Sequence, residues 1–212
     1  MPELNRTPLL IVVSAPSGAG KTTLCRKLMA EDKSIVYSIS CTTREPRSSE
    51  QDGKDYFFLS EEEFERRVQE GLFLEHATVH GNRYGTLKSV VEESLKKGKS
   101  VLMDIDVQGA DQVRTASLKE GDGSLLKKAF MDIFISPPSL DVLKERLLCR
   151  GEDKQEVIER RMKKAGEEMK RSLEYRRRIV NDDLEKAYGE LKAILKDERD
   201  ARSGPSREKR KS

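Results

Sequence analysis

Leu9-Leu10-Ile11-Val12-Val13-Ser14-Ala15-Pro16-Ser17-Gly18-Ala19-Gly20-Lys21-Thr22-Thr23 decides the fold of this chain. Its first five residues form an apolar run of strand length. Beyond it, Leu24, Leu28 and Met29 share one face of a helix. An apolar strand, a glycine-bearing turn and a helix start are the setting in which a phosphate-binding loop works. Backbone N–H groups at the helix N-terminus point at an anion there. In the pattern G-x-x-x-x-G-K-[ST], Lys21 is the residue that reaches β- and γ-phosphates, and the Thr22 hydroxyl holds Mg²⁺ directly. Ala15 stands where the pattern has its first glycine, which a backbone with negative φ tolerates. Gly18 and Gly20 remain for close phosphate approach.

Outward from this loop, strands and helices alternate. Residues 35–40 read as a strand. Residues 61–70 read as a helix with Ser60 as its cap, and 87–97 as another, ended by Gly98. The stretches 100–105 and 129–135 are apolar and strand-length. Pro137-Pro138 breaks the chain, and Ser139 caps a helix running through Arg150. A charged helical stretch covers 153–173, a short strand 178–180, and Asp182 caps a helix over 183–199. This alternation predicts an α/β fold, a parallel sheet with helices on both faces. Two regions interrupt it: 41–86, rich in Thr, Arg, Gly and Tyr with a strand-like piece at 56–59, reads as a small mixed lobe. Residues 119–128 read as an exposed loop.

Composition narrows the class. At 212 residues the chain can bury one sizeable core. Charged residues make up 37% and are of interleaved sign, which suits exposed helices rather than disorder. The net charge is +3, but residues 199–212 alone contribute +4, leaving −1 on the rest. Basicity belongs to a tail, expected to be disordered over 200–212, and a nucleic-acid surface across the body is not indicated. Contact of that tail with nucleic acid or acidic partners stays open beside the solvated reading. Cys25, Cys41 and Cys149 form no C-x-x-C pair or Cys/His cluster, so neither a zinc site nor a disulfide framework is expected; reduced thiols in a cytoplasmic protein are. His76 and His80 lack metal-ligand spacing. The first apolar run is too short for a membrane span or a signal segment.

A phosphate loop alone says nucleoside triphosphate. A second constellation says more: Ser40-Cys-Thr-Thr-Arg44-Glu-Pro-Arg47, Gly53-Lys-Asp-Tyr56 and Gly81-Asn-Arg-Tyr84-Gly-Thr86. Arginine forks suit phosphate oxygens and tyrosine hydroxyls add neutral donors, so this lobe can hold a second phosphate. With Ala15–Thr22, Asp104-Ile-Asp106-Val-Gln-Gly109 and Ile179-Val-Asn181-Asp-Asp183, these segments make residues 8–195 resemble the guanylate kinase family, in its bacterial form of the loop.

The resemblance implies a P-loop fold with a five-stranded parallel sheet in a core of 8–40, 87–149 and 168–195. It also implies an inserted GMP-binding lobe at 41–86 and a helical lid at 150–167. The implied reaction is ATP + GMP to ADP + GDP with Mg²⁺; no membrane and no specific nucleic acid are implied as partners. ATP would lie along Ala15, Pro16, Ser17, Gly18, Ala19, Gly20, Lys21, Thr22 and Thr23, with Asn181 on its base side. Arg44, Arg47, Tyr56 and Tyr84 would grip the GMP phosphate. Glu75, assisted by Asp106, would accept from the guanine ring N–H and amine, and Ser40 and Thr86 would meet the carbonyl edge. Lys21, Arg44, Arg146, Arg150 and Arg161 would stabilise the transferring phosphoryl group, and Asp104 would hold Mg²⁺ through water. On the residues alone, Glu75 also reads as a surface carboxylate, Asp104 as a strand-end cap and Asp182 as a plain N-cap. A non-catalytic phosphopeptide-binding module and a P-loop kinase with another acceptor stay open as alternatives.

Overall fold

The computed structural model describes residues 7–79, 81–149 and 155–203. Nine strands and eight helices are seen among them. The centre is a parallel sheet of β1 (Leu10–Ser14), β2 (Ile35–Tyr37), β7 (Ser100–Asp104), β8 (Phe130–Ser136) and β9 (Arg177–Val180), in the order β2-β7-β1-β8-β9. Strand β1 lies between β7 and β8, with Leu10 opposite both Val101 and Phe130. A strand so placed is covered on both faces, which is why it reads as a continuous apolar run rather than an alternating one.

Alternation still decides where each side chain goes. Leu9, Ile11 and Val13 pack toward Leu24 and Leu28 of α1 (Lys21–Glu31) and Leu191 and Leu195 of α8 (Leu184–Ser203). Leu10 and Val12 face the opposite cluster. It holds Leu95 of α3 (Lys88–Lys96), Val113 of α4 (Val107–Lys119) and Leu126 of α5 (Leu125–Ala129). Each fully buried leucine or valine of this kind contributes about 1.5–3 kcal/mol. Helices α6 (Leu140–Cys149) and α7 (Gln155–Lys170) make a smaller cluster through Leu143, Leu147, Ile158 and Ala165.

The lobe is a separate four-stranded sheet of β3 (Cys41–Thr42), β4 (Phe57–Phe58), β5 (Phe73–Val79) and β6 (Asn82–Leu87), ordered β4-β3-β6-β5, with α2 (Glu61–Gln69) beside it. Ser60 caps α2 by accepting from the Glu63 N–H at 3.1 Å, as the sequence predicts. Strands β5 and β6 pair antiparallel. Their register shifts between Phe73↔Leu87 and Glu75↔Thr86, so Leu74 is an extra residue in β5.

Four expectations need correction. The stretch 119–128 is not all exposed loop: it contains the start of α5, whose Leu126 is fully buried. Residues 107–119, for which no helix is predicted, form α4, capped by Asp106. The cap of α8 is Asp183, whose Oδ1 accepts from the Lys186 N–H at 2.8 Å, rather than Asp182. Helix α8 continues to Ser203, held by Arg202 donating to the Ala129 and Phe130 carbonyls, so 200–203 are not part of a tail. Residues 204–212, His80 and Arg150 lie outside the described residues, as does 150–154 of the expected lid.

Candidate active site

Strand β1 delivers the loop at its C-terminal end, and two features shape it. Gly20 has φ +91°, and a Cβ there would lie 2.2 Å from Asn181 Nδ2. The loop also turns on itself through Ala19 N–H to the Pro16 carbonyl at 3.0 Å. Helix α1 then starts with no side chain capping it, so its first N–H groups are left for an external acceptor. Lys21 reaches from this start to the end of β7, where its Nζ pairs with Asp104 and donates to the Ile105 carbonyl at 3.1 Å. The Thr22 hydroxyl faces Asp104 Oδ2 at 3.4 Å. Ser17, Thr22 and Thr23 are exposed, whereas Ala15, Pro16 and Ala19 are buried beneath the loop.

Asn181 follows β9 and lies under the loop. Its Nδ2 donates to the Ala19 carbonyl at 2.8 Å, and its own carbonyl accepts from Arg146 Nη2 at 2.9 Å. Through its side-chain bond Asn181 fastens the loop to the end of β9. Arg146, through its bond to that carbonyl, ties α6 to that junction. Arg161 sits half-buried on α7.

The lobe and β7 together enclose a cavity of about 380 Å³. Ser40, Tyr56, Glu75, Tyr84, Asp104 and Asp106 all line it, from segments far apart in sequence. At one end the Tyr56 and Tyr84 rings meet edge-on at 6.1 Å, with the Arg44 guanidinium 5.4 Å over Tyr56. Glu50 holds Arg44 through both its oxygens, at 2.9 and 3.0 Å, and raises its already high pKa. Arg47 is on the same turn, its side chain exposed, and its backbone N–H donates to Glu50 at 2.9 Å.

At the other end is Glu75, 6% exposed. The bulge at Leu74 sets Glu75 beside Thr86, whose hydroxyl donates to Oε1 at 2.8 Å. Thr86 thus lies beside Glu75, the acid expected to meet the base edge. A Cβ on residue 109 would sit 3.2 Å from Glu75 Oε2, so Gly109 leaves that carboxylate its room. Asp106 Oδ1 caps α4, accepting from Gln108 and Gly109 N–H at 3.1 and 2.9 Å, and Oδ2 is spared. Burial pushes the Glu75 carboxyl up to about 7; the Thr86 bond opposes this and the Asp106 charge adds to it.

Sequence reasoning missed Tyr37, Ser38, Asp55 and Lys164 in the cavity wall. Lys164 has an i,i+4 relation to Glu168 that is visible in the sequence, but so have many surface pairs. The three cysteines are free; burial pushes Cys25 up to about 12 and Cys41 up to about 11, so neither is a thiolate nucleophile at neutral pH. Among the described residues no three His, Cys, Asp or Glu converge as a metal cage, and no helix is long and apolar enough to cross a membrane.

A family model described as guanylate kinase matches residues 7–198. A guanylate kinase of Novosphingobium aromaticivorans is 51% identical over 158 residues, covering 73% of this chain and 66% of the relative. One of Thermotoga maritima is 47% identical over 146 residues, covering 69% and 66%. The matched part thus spans just under two thirds of the length of these relatives. The crystal structure of guanylate kinase from Anaplasma phagocytophilum has a TM-score of 0.65 to this chain at 34% identity, covering 92% of it and 87% of that protein.

Proposed function

The chain belongs to the guanylate kinase family, and on that premise we propose that it transfers the γ-phosphoryl group of ATP to GMP, yielding ADP and GDP. The observation that supports this is that the glycine-bearing loop and the lobe cavity lie together at one end of the sheet. The loop after β1 and the cavity beside β7 meet at Asp104, which faces Lys21 and Thr22 on one side and lines the cavity on the other.

ATP takes the loop, its phosphates against the α1 N–H groups and Lys21. GMP takes the cavity with its phosphate at Arg44, Tyr56 and Tyr84 and with Arg47 closing from outside. Its base lies at Glu75, where the ring N–H and amine of guanine donate to the carboxylate. Adenine lacks that ring N–H, and a site built around a specific polar pairing rejects a mismatch by about 10⁴-fold. The phosphate oxygen of GMP attacks the γ-phosphorus in line, and the bond from that phosphorus to the β–γ bridging oxygen breaks, leaving ADP. The attacking oxygen is already anionic, so no protein base is required. Catalysis is positioning and charge stabilisation by Lys21, Arg44, Arg146 and the lid arginines Arg150 and Arg161.

The oxygen donors of Thr22 and Asp104, 3.4 Å apart, fit Mg²⁺, which favours hard oxygen ligands and keeps several waters. When bound, the ion neutralises phosphate charge; Thr22 would hold it directly and Asp104 through water. Asn181 keeps the loop in shape from below. Residues 41–86 serve as the acceptor lobe and 150–167 as a lid that excludes water as a rival acceptor.

Steady-state ADP release with GMP or AMP as acceptor tests this. Wild type should turn over GMP and ignore AMP. Glu75→Ala should lower kcat/KM for GMP about 10²–10³-fold, the loss of two hydrogen bonds to a charged group, while its KM for ATP holds. Wild-type turnover with AMP but not GMP, or none with either, contradicts the proposal.

A further inference from the structure

The acceptor cavity poses a charge problem. Asp55, Glu75, Asp104 and Asp106 line it, and a nucleoside monophosphate is itself an anion. Asp104 is paired with Lys21, which leaves three carboxylates facing the space. Among the described residues of the lining, Lys164 is the one base. It comes from α7, far from the lobe in sequence. Its Nζ lies 3.9 Å from Asp106 Oδ2, the oxygen not used in capping α4, and 3.6 Å from Glu168 Oε1. Glu168 is buried on the same helix, and the Lys164 charge counters the effect of that burial on its carboxyl.

We propose that Lys164 is a positioning residue for the acceptor nucleotide: it lies between Asp106 Oδ2 and Glu168 and, beside the Arg44 and Arg47 charges at the phosphate end, offsets the carboxylates of the cavity's other end so that an anion is admitted. Helix α7 is then a wall of the acceptor site as well as the carrier of Arg161. The inference rests on the reading of the cavity as the GMP site. The Lys164 side chain is 59% exposed, and ion pairs of that exposure add little to fold stability. Its replacement should therefore leave the fold intact, so that a change in GMP binding can be read on its own. Exposed charges are also screened by salt, which marks an electrostatic role.

The test compares Lys164→Met and Lys164→Arg with wild type, by GMP titration calorimetry and by steady-state kinetics at low and high ionic strength. Lys164→Met should weaken GMP binding and raise its KM about 5–20-fold at low salt, the gap narrowing at high salt. Its kcat, KM for ATP and melting temperature should stay close to wild type, and Lys164→Arg should recover most of the GMP affinity. Unchanged GMP affinity in Lys164→Met, an equal rise in both KM values, or no recovery with arginine overturns the inference alone. A wild-type protein that binds no GMP overturns it together with the function proposed above.

Discussion

Glu75 is one carboxylate that has lost most of its water, and its neighbours do not restore the loss. Thr86 offsets part of it through its hydroxyl and its backbone N–H, and Asp106 adds a like charge. The carboxyl, pushed up to about 7, therefore takes a proton within the physiological range. Two consequences have opposite uses of one sign. The folded chain binds this proton more tightly than the unfolded chain, so the stability it contributes is full below about pH 4.5 and is lost as pH rises through about 7. Guanine, by contrast, donates and needs the charged form. GMP binding below pH 7 should release a proton, and affinity should fall about tenfold for each pH unit below 7. Calorimetry at pH 6 in buffers of different ionisation enthalpy reads this proton directly, and Glu75→Gln should abolish it. Nothing local in Phe73-Leu-Glu75-His-Ala77 marks this acid out; only resemblance to a family does. Its partner Thr86 also stands in a motif, but the hydrogen bond between them depends on a one-residue bulge that the sequence does not announce.

Among elements, the strand–loop–helix at residues 9–29 was legible because its three parts are contiguous and each carries its own signal: an apolar run, glycines, and a helical face. Its support was not legible. Asn181 arrives from β9, 162 residues after Ala19, to hold the loop by one side-chain bond. Gly20→Ala probes both facts at once. A Cβ at φ +91° is strained by about 1–2 kcal/mol, and it would also strike Asn181 Nδ2. The variant should melt lower and lose at least about 10²-fold in kcat/KM, since a small displacement of a positioning loop costs that much. Wild-type kinetics in Gly20→Ala would mean that the loop shape is not what holds the phosphates. Helix α5 stayed hidden for a different reason: five residues are too few for a period to appear, and Gly121 and Gly123 beside it signal a turn. Helix α4 hides behind Asp104–Gly109, whose charged start reads as a site rather than a helix, although Val107, Ala110 and Val113 recur at helical spacing.

Over the whole molecule, one parallel sheet sets both proposed sites at the C-terminal ends of its strands, as open α/β sheets do. Strand β1 leads into the loop and β7 ends at Asp104, one residue pair away in register, Val13↔Asp104. The lobe then closes the cavity against β7 from outside the sheet. Alternation predicted the sheet, and the resemblance predicted the lobe as an insertion; which side chains meet across that junction follows only from the folded geometry. Donor and acceptor nucleotides are proposed to occupy separate sites facing each other across Asp104. The most direct test is a titration of GMP into protein already saturated with a non-hydrolysable ATP analogue and Mg²⁺. One GMP should bind per chain, with affinity undiminished by the analogue. Competition between the two ligands for one site, or no GMP binding by the folded protein, would contradict this two-site arrangement.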